Sequence, residues 1–214
     1  MNTSPAVPFT EPSPTPPGQP APETVYEMRT LSTDAERDEA VALVQDRQRW
    51  LTLHGLPVPA RTDIPALLRA PQTMSAGLFE DGLLLACMIP QHTSSHGWDH
   101  GPCLFLSCLH TLPDHPDNTL QLITLWASDF AARLGLPLVR TEILASDPLY
   151  ADPIAPVLRR VIDMGWNLRG PGKGQHGEPV ARLELTAEQR PGLGALIGCR
   201  VHEPQSAADS RSIT

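Results

Sequence analysis

The sequence predicts an α/β protein with a mixed central sheet flanked by helices, in the order β-α-α-β-β-β-α-β-α-β-β. Three observations carry that reading. Stretches whose apolar residues recur every three or four positions alternate with short apolar runs of strand length. Glu80-Asp81-Gly82 joins two of those runs as a hairpin would. A long amphipathic stretch, Leu120 to Leu134, separates two others, and a helix there makes its flanking strands parallel. With 214 residues, 41% of them hydrophobic, the chain suits one domain with tails.

Each element has a local reason. Thr24 to Leu31 has strand character. Ser32 or Thr33 then offers an N-cap ahead of Asp34 and Glu36. Ala40, Leu43, Val44, Arg47, Trp50 and Leu51 follow at helical spacing, and Gly55 stops the helix. A short helix comes next, with Thr62 as its cap and Pro65 in its first turn. Ser75 to Phe79 and Leu83 to Ile89 are the hairpin strands, and the polar stretch Pro90 to Pro102 reads as a loop before a strand at Leu104 to Thr111. Asn118 or Thr119 caps the long helix. Its Leu122, Ile123, Trp126, Ala127 and Phe130 form one apolar stripe, and it ends at Gly135. Leu138 to Leu144 is the next strand, and Pro153 to Met164 the last helix, closed by Gly165. Trp166 to Arg169 and Val180 to Leu185 are the final strands. Trp50, Trp126 and Trp166 fall at periodic positions and read as core residues.

The ends read differently. Met1 to Pro22 holds eight of the 24 prolines and one charged residue, Glu11, so residues 1–23 are expected to be a disordered, proline-rich tail. Residues 187–214 read as a polar C-terminal tail in which Leu193, Leu196 and Ile197 are able to dock, which leaves 24–186 as the domain. A net charge of -8 speaks against a nucleic-acid or anionic-membrane partner. Neither a membrane-length apolar run nor a secretory signal is present, and Cys87, Cys103, Cys108 and Cys199 form no CxxC pair, so a cytoplasmic protein with reduced thiols is expected. Whether it pairs as a homodimer is left open.

Along almost the whole domain this order resembles the GNAT acetyltransferase superfamily. Three segments carry the resemblance. "LFLSCLHTLPDHPDNTLQLITLWASDFAARLGLPLVRTEI" is similar to the family's central strand, phosphate loop, long helix and following strand. "VLRRVIDMGWNL" is similar to the late helix that ends in Gly-Phe or Gly-Trp before a strand, and "RQRWLTLHGL" resembles the first-helix segment of some bacterial members. The resemblance implies that the two central parallel strands splay apart and that acetyl-CoA enters the gap. It places the strand that pairs with the pantetheine amides at Leu109, His110, Thr111 and Leu112. It places the pyrophosphate on the loop Asp114 to Thr119 and the first turn of the helix beyond, so that Asp117, Asn118, Thr119, Leu120 and Gln121 would contact it. The unpaired N–H groups and positive dipole end of a helix start suit that role.

The loop is degenerate against the family pattern of Gln or Arg, two residues, Gly, any residue, then Gly or Ala. Asn118 and Leu120 fall where the small residues are expected, and Gln121 where a basic residue is common. Asp114 and Asp117 add negative charge, although Asp117 is also a fitting N-cap. Many members carry a tyrosine that protonates the departing thiolate; here that position is Val161, which leaves Tyr150 as the candidate acid. His110 and Glu142, on the two splayed strands, are the candidate bases. Each has an alternative reading, His110 as a core histidine and Glu142 as the ion-pair partner of Arg140 or Arg29.

Two further patterns stand in the sequence. His92, His96 and His100 recur every four residues beside Asp99 and Cys103, but in a loop that spacing gathers nothing, so no metal is expected. Trp98 and Asp99 there read as substrate-facing residues instead. Gly170-Pro171-Gly172-Lys173-Gly174 lacks the spacing of a nucleotide phosphate loop and reads as a flexible hairpin connection. The resulting expectation is acyl-CoA-dependent N-acyltransfer, acetyl in the simplest case, to a small-molecule or peptide amine by direct attack on the thioester. The alternative is a GNAT-fold protein that has lost catalysis and serves as a binding or regulatory module, for which Leu120 and Val161 speak.

Overall fold

A computed structural model describes residues 25–58, 63–96, 99–113, 118–145, 154–174 and 176–201, with the backbone alone at 95, 96, 99 and 100. The elements follow the expected order. They are β1 (Tyr26–Thr30), α1 (Asp34–Leu53), α2 (Ile64–Arg69), β2 (Ala76–Glu80), β3 (Leu83–His96), β4 (Asp99–Thr111), α3 (Asn118–Arg133), β5 (Leu138–Leu144), α4 (Ala155–Asp163), β6 (Asn167–Lys173) and β7 (Pro179–Thr186). Two more follow, α5 (Leu193–Leu196) and β8 (Ile197–Arg200). The strands form one sheet in the order β6-β7-β5-β4-β3-β2-β1-β8.

Local chemistry sets the helix ends. Thr33 caps α1 in a full capping box with Glu36, whose carboxylate accepts from the Thr33 N–H at 3.0 Å while Thr33 Oγ1 accepts from the Glu36 N–H at 3.2 Å. The cap of α2 is Asp63 rather than Thr62, through a 3.1 Å bond from the Ala66 N–H. Asn118 and Thr119 lie inside the first turn of α3, so the capping position precedes them, outside the described residues.

Two layers cover the sheet. On one face α1 and α2 bury Ala40, Val41, Leu43, Val44, Ile64 and Leu68 against Phe79, Leu84, Cys87 and Ile89. On the other, α3 lays Leu122, Ile123, Trp126, Ala127 and Phe130 over strand residues that include Met28, Leu78, Met88, Leu104, Val139 and Leu183. Trp126 and Trp166 are core residues as expected, the Trp166 indole donating to Thr124 Oγ1 at 3.0 Å. Trp50 is not; it lies half-buried near the end of α1.

Three segments differ from the sequence reading. The polar stretch continues both arms of the β3–β4 hairpin as paired strand, 90–96 in β3 and 99–102 in β4, with Gln91 opposite Phe105 and Thr93 opposite Cys103. Gly170 to Lys173 belongs to β6 and pairs with β7 rather than forming a loose connection. Residues expected in a polar tail supply α5 and β8, and β8 pairs in parallel with β1, Tyr26 opposite Ile197, whose side chain enters the core. Pairing with a sheet edge satisfies backbone groups that a tail would leave to water, and it covers the edge of β1. No helix among the described residues is long and apolar enough to cross a membrane.

Candidate functional site

The central strands part where the sequence reading placed the gap. β4 and β5 pair in parallel only at Leu104–Val139, Phe105–Arg140 and Leu106–Thr141. Beyond that point β4 continues with β3, Ser107 opposite Ile89 and His110 opposite Cys87. β5 turns to β7 instead, Glu142 opposite Arg182 and Leu144 opposite Val180.

The cause is local to β4. Cys108 holds a φ of 52°, a left-handed backbone that residues with a Cβ seldom adopt, and the β3–β4 register slips between Cys87 and Ile89. An extra residue of this kind bends its strand and sharpens its twist. At the fork, Thr141 Oγ1 donates to the Leu106 carbonyl at 2.8 Å and closes the last rung. Past it, the β4 edge that faces β5 has no rung from β5 and is open to pairing with an extended, amide-bearing chain.

The expected acceptor strand coincides with that edge for Leu109, His110 and Thr111. Leu112 does not join it. Its N–H donates to the Leu85 carbonyl at 2.7 Å and is committed to β3.

Asn118, Thr119, Leu120 and Gln121 make up the first turn of α3, the end at which a helix has N–H groups not used by its own ladder. Leu120, at a position where the family pattern has a small residue, packs its side chain against the α3-side core, so its bulk is absorbed there. Gln121 is exposed and Thr119 buried. Asn118 Nδ2 donates to the Tyr26 hydroxyl at 3.1 Å, and that hydroxyl donates to Glu80 Oε1 at 2.7 Å. The bond to Glu80 is the main reason that Tyr26 is held above its usual pKa, so its proton is spoken for.

His110 and Glu142 come to the same face on the two sides of the gap. Residues opposite each other in a ladder share a face. His110 and Ser107 lie opposite Cys87 and Ile89, which pack under α1. Phe105 lies opposite both Gln91 and Arg140, which puts Arg140 and, two residues on, Glu142 on that side too.

His110 is buried, with Nδ1 2.9 Å from the Cys108 carbonyl. A carbonyl only accepts, so Nδ1 carries the proton and Nε2 holds the lone pair. Burial depresses its pKa, the Arg47 guanidinium on α1 depresses it further, and the Cys108 bond opposes both. The ring is therefore a neutral base at pH 7. Because the folded-state pKa lies below the ordinary 6.5, the unfolded chain binds more protons in the window beneath that value. The stability that comes from keeping this ring neutral is complete above pH 6.5 and is lost as the pH falls through that window. Urea denaturation from about pH 5 to 8 is expected to show that loss in the wild type and a flatter profile in His110→Gln.

Glu142 pairs with Arg182 across the β5–β7 ladder, Nε to Oε1 3.6 Å. Arg140 is engaged by Glu184 at 3.0 Å, and Arg29 by Glu36 at 3.2 Å. Val161, in place of the family's tyrosine, is buried in the core. Tyr150, Asp114, Asp117 and Trp98 lie outside the described residues, and Asp99 is placed in β4 by its backbone alone. Among the described residues no cluster of His, Cys, Asp or Glu could hold a metal ion.

Sequence reasoning missed two contributors. Cys108 gave no signal, since its backbone strain is set by packing between strands. Thr141 gave none either, because its hydroxyl matters only once Leu106 lies opposite it.

No protein-family model matches the chain, and no curated protein does. Solved structures do. A GNAT-family acetyltransferase from Listeria monocytogenes superposes with a TM-score of 0.54 at 15% identity, over 75% of this chain and 94% of that one. An N-acyl amino acid synthase from uncultured soil microbes gives 0.51 at 14% identity, over 82% and 96%. The aminoglycoside 6'-N-acetyltransferase from Enterococcus faecium gives 0.50 at 12% identity, over 78% and 99%. At such identities the likeness is one of fold. The chain has the GNAT acetyltransferase fold.

Proposed function

We propose that this chain, having the GNAT fold, is an acyl-CoA-dependent N-acyltransferase that moves an acyl group, acetyl in the simplest case, to an amine. The observation that carries the reading is the parting of β4 from β5 after Leu106, which leaves the edge at Leu109 to Thr111 open. That edge suits the two amides of a pantetheine arm, and the start of α3, where Asn118 and Gln121 are exposed, suits a pyrophosphate. The thioester supplies the activated acyl carbon.

On this reading the chain's residues have separate tasks. The β4 edge and the first turn of α3, with Asp117 and Asn118 to Gln121, hold the donor. His110 Nε2 takes the proton that the amine loses as its nitrogen bonds to the acyl carbon, directly or through a water. Glu142, tied to Arg182, orients that side of the cleft rather than acting as the free base. Tyr150 is the proposed proton source for the leaving thiolate, since Val161 cannot donate and Tyr26 is committed to Glu80. Trp98 and Asp99 remain proposed acceptor contacts.

The buried Val161 favours one rival, a non-catalytic module of the same fold. Release of free CoA thiol from acetyl-CoA, measured over a panel of amines, tests the proposal. Amine-dependent release is expected. Saturable acetyl-CoA binding without release for any amine would favour the module.

A further inference from the structure

The bulge in β4 has a cysteine at the position that favours glycine. Cys87 lies opposite His110 and Ile89 opposite Ser107, so Cys108 and Leu109 together stand against Met88 alone. With its first residue at a φ of 52°, this is the left-handed form of bulge, whose first position is ordinarily Gly. The thiol itself is not set up to react. Burial pushes it above its usual pKa, which keeps it protonated and a poor nucleophile. The side chain instead packs against the core under α1 and pins the bulge from that side.

What the bulge delivers is its carbonyl. In an extended strand each carbonyl points along the sheet at a neighbouring strand, away from the side chains. A left-handed residue turns its peptide out of that direction, and here His110 Nδ1, two residues on, lies 2.9 Å from the Cys108 oxygen. Free imidazole favours the other tautomer, with the proton on Nε2. A ring kept as Nδ1–H therefore needs an acceptor held in place, since the bond that one ring nitrogen makes decides the state of the other.

We propose that Cys108 is a positioning residue for the base: its left-handed backbone holds the carbonyl that fixes His110 as the Nδ1–H tautomer and leaves Nε2 unprotonated for the proton of the amine. The use made of Nε2 rests on the acyltransfer reading, whereas the tautomer does not. Because the backbone and not the thiol acts, glycine should hold the ring as well as cysteine does. A β-branched residue, for which this backbone is an outlier, should not.

The tautomer is read by long-range proton–nitrogen correlation spectroscopy of the full chain at about pH 8, where the ring is neutral. The unprotonated ring nitrogen resonates well downfield of the protonated one, and loss of a signal in His110→Gln assigns it. Wild type and Cys108→Gly should both show the Nδ1–H form. Cys108→Thr should show mostly Nε2–H, with a kcat about three- to tenfold below that of Cys108→Gly, the share of rings lost to the wrong tautomer. Should Cys108→Thr fail to fold, Cys108→Ala, also strained at this φ, is judged by the same comparison. An Nε2–H ring in the wild type, an unchanged tautomer in the folded Thr or Ala variant, or loss of the Nδ1–H form in Cys108→Gly would overturn the proposal. The expected tautomers in a protein that releases no CoA thiol with any amine would uphold the positioning role and sink the acyltransfer reading instead.

Discussion

Replacing Trp126 by alanine is expected to cost about 3–5 kcal/mol of stability, the usual range for removing a large aromatic from a core. Trp126 is 1% exposed, stacks on Phe130 with centroids 5.1 Å apart, and lies at the centre of the α3 stripe over the sheet. Its removal opens a cavity that the surrounding strands cannot close without losing register. Trp126→Phe should cost much less, because among the described residues the buried indole N–H has no hydrogen-bond partner and phenylalanine removes that polar atom. Urea denaturation of the two variants checks this. A loss below about 1 kcal/mol in Trp126→Ala would mean that α3 does not anchor the sheet, and the placement of its first turn would fall with it.

His110→Gln is expected to lower kcat about 10²–10⁴-fold, the span of a lost general base, with acetyl-CoA affinity unchanged. Glutamine keeps a polar side chain of similar reach and accepts no proton at neutral pH. In the wild type kcat should fall as the pH drops through the depressed His110 pKa, since only the neutral ring can act. Steady-state rates across pH, set beside calorimetric affinity for the donor, separate catalysis from folding. An unchanged kcat would make His110 a core histidine and move the base elsewhere.

The parts of the fold legible in the sequence are those written in short-range periodicity. The α3 stripe, the Glu80-Asp81-Gly82 turn and the parallel relation of β4 to β5 each follow from neighbours a few residues apart. What was not legible depends on partners far along the chain. β8 is a four-residue strand with little pattern of its own, and only β1, some 170 residues earlier, gives it a place. The polar arms at 90–96 and 99–102 look like loop because they lack an apolar alternation, and each owes its place to the ladder with the other. The Arg182 partner of Glu142 was not legible, because cross-strand register decides such charge partners in a sheet and sets Arg182 opposite. The site divides in the same way. The acceptor edge and the α3 start were readable as positions, whereas the bulge at Cys108 and the lock at Thr141 arise from tertiary packing.

The forked strands and the start of α3 are proposed to bind acyl-CoA. Titration calorimetry of acetyl-CoA into the wild type and Gln121→Glu tests it most directly. An acidic residue in the first turn of a helix favours the helix, by about 0.3–1 kcal/mol, but repels a pyrophosphate held there by a comparable amount. One saturable site is expected in the wild type. In Gln121→Glu binding should weaken by about two- to fivefold with no fall in melting temperature. Absence of saturable binding in the wild type, or equal affinity in the two proteins, would contradict it.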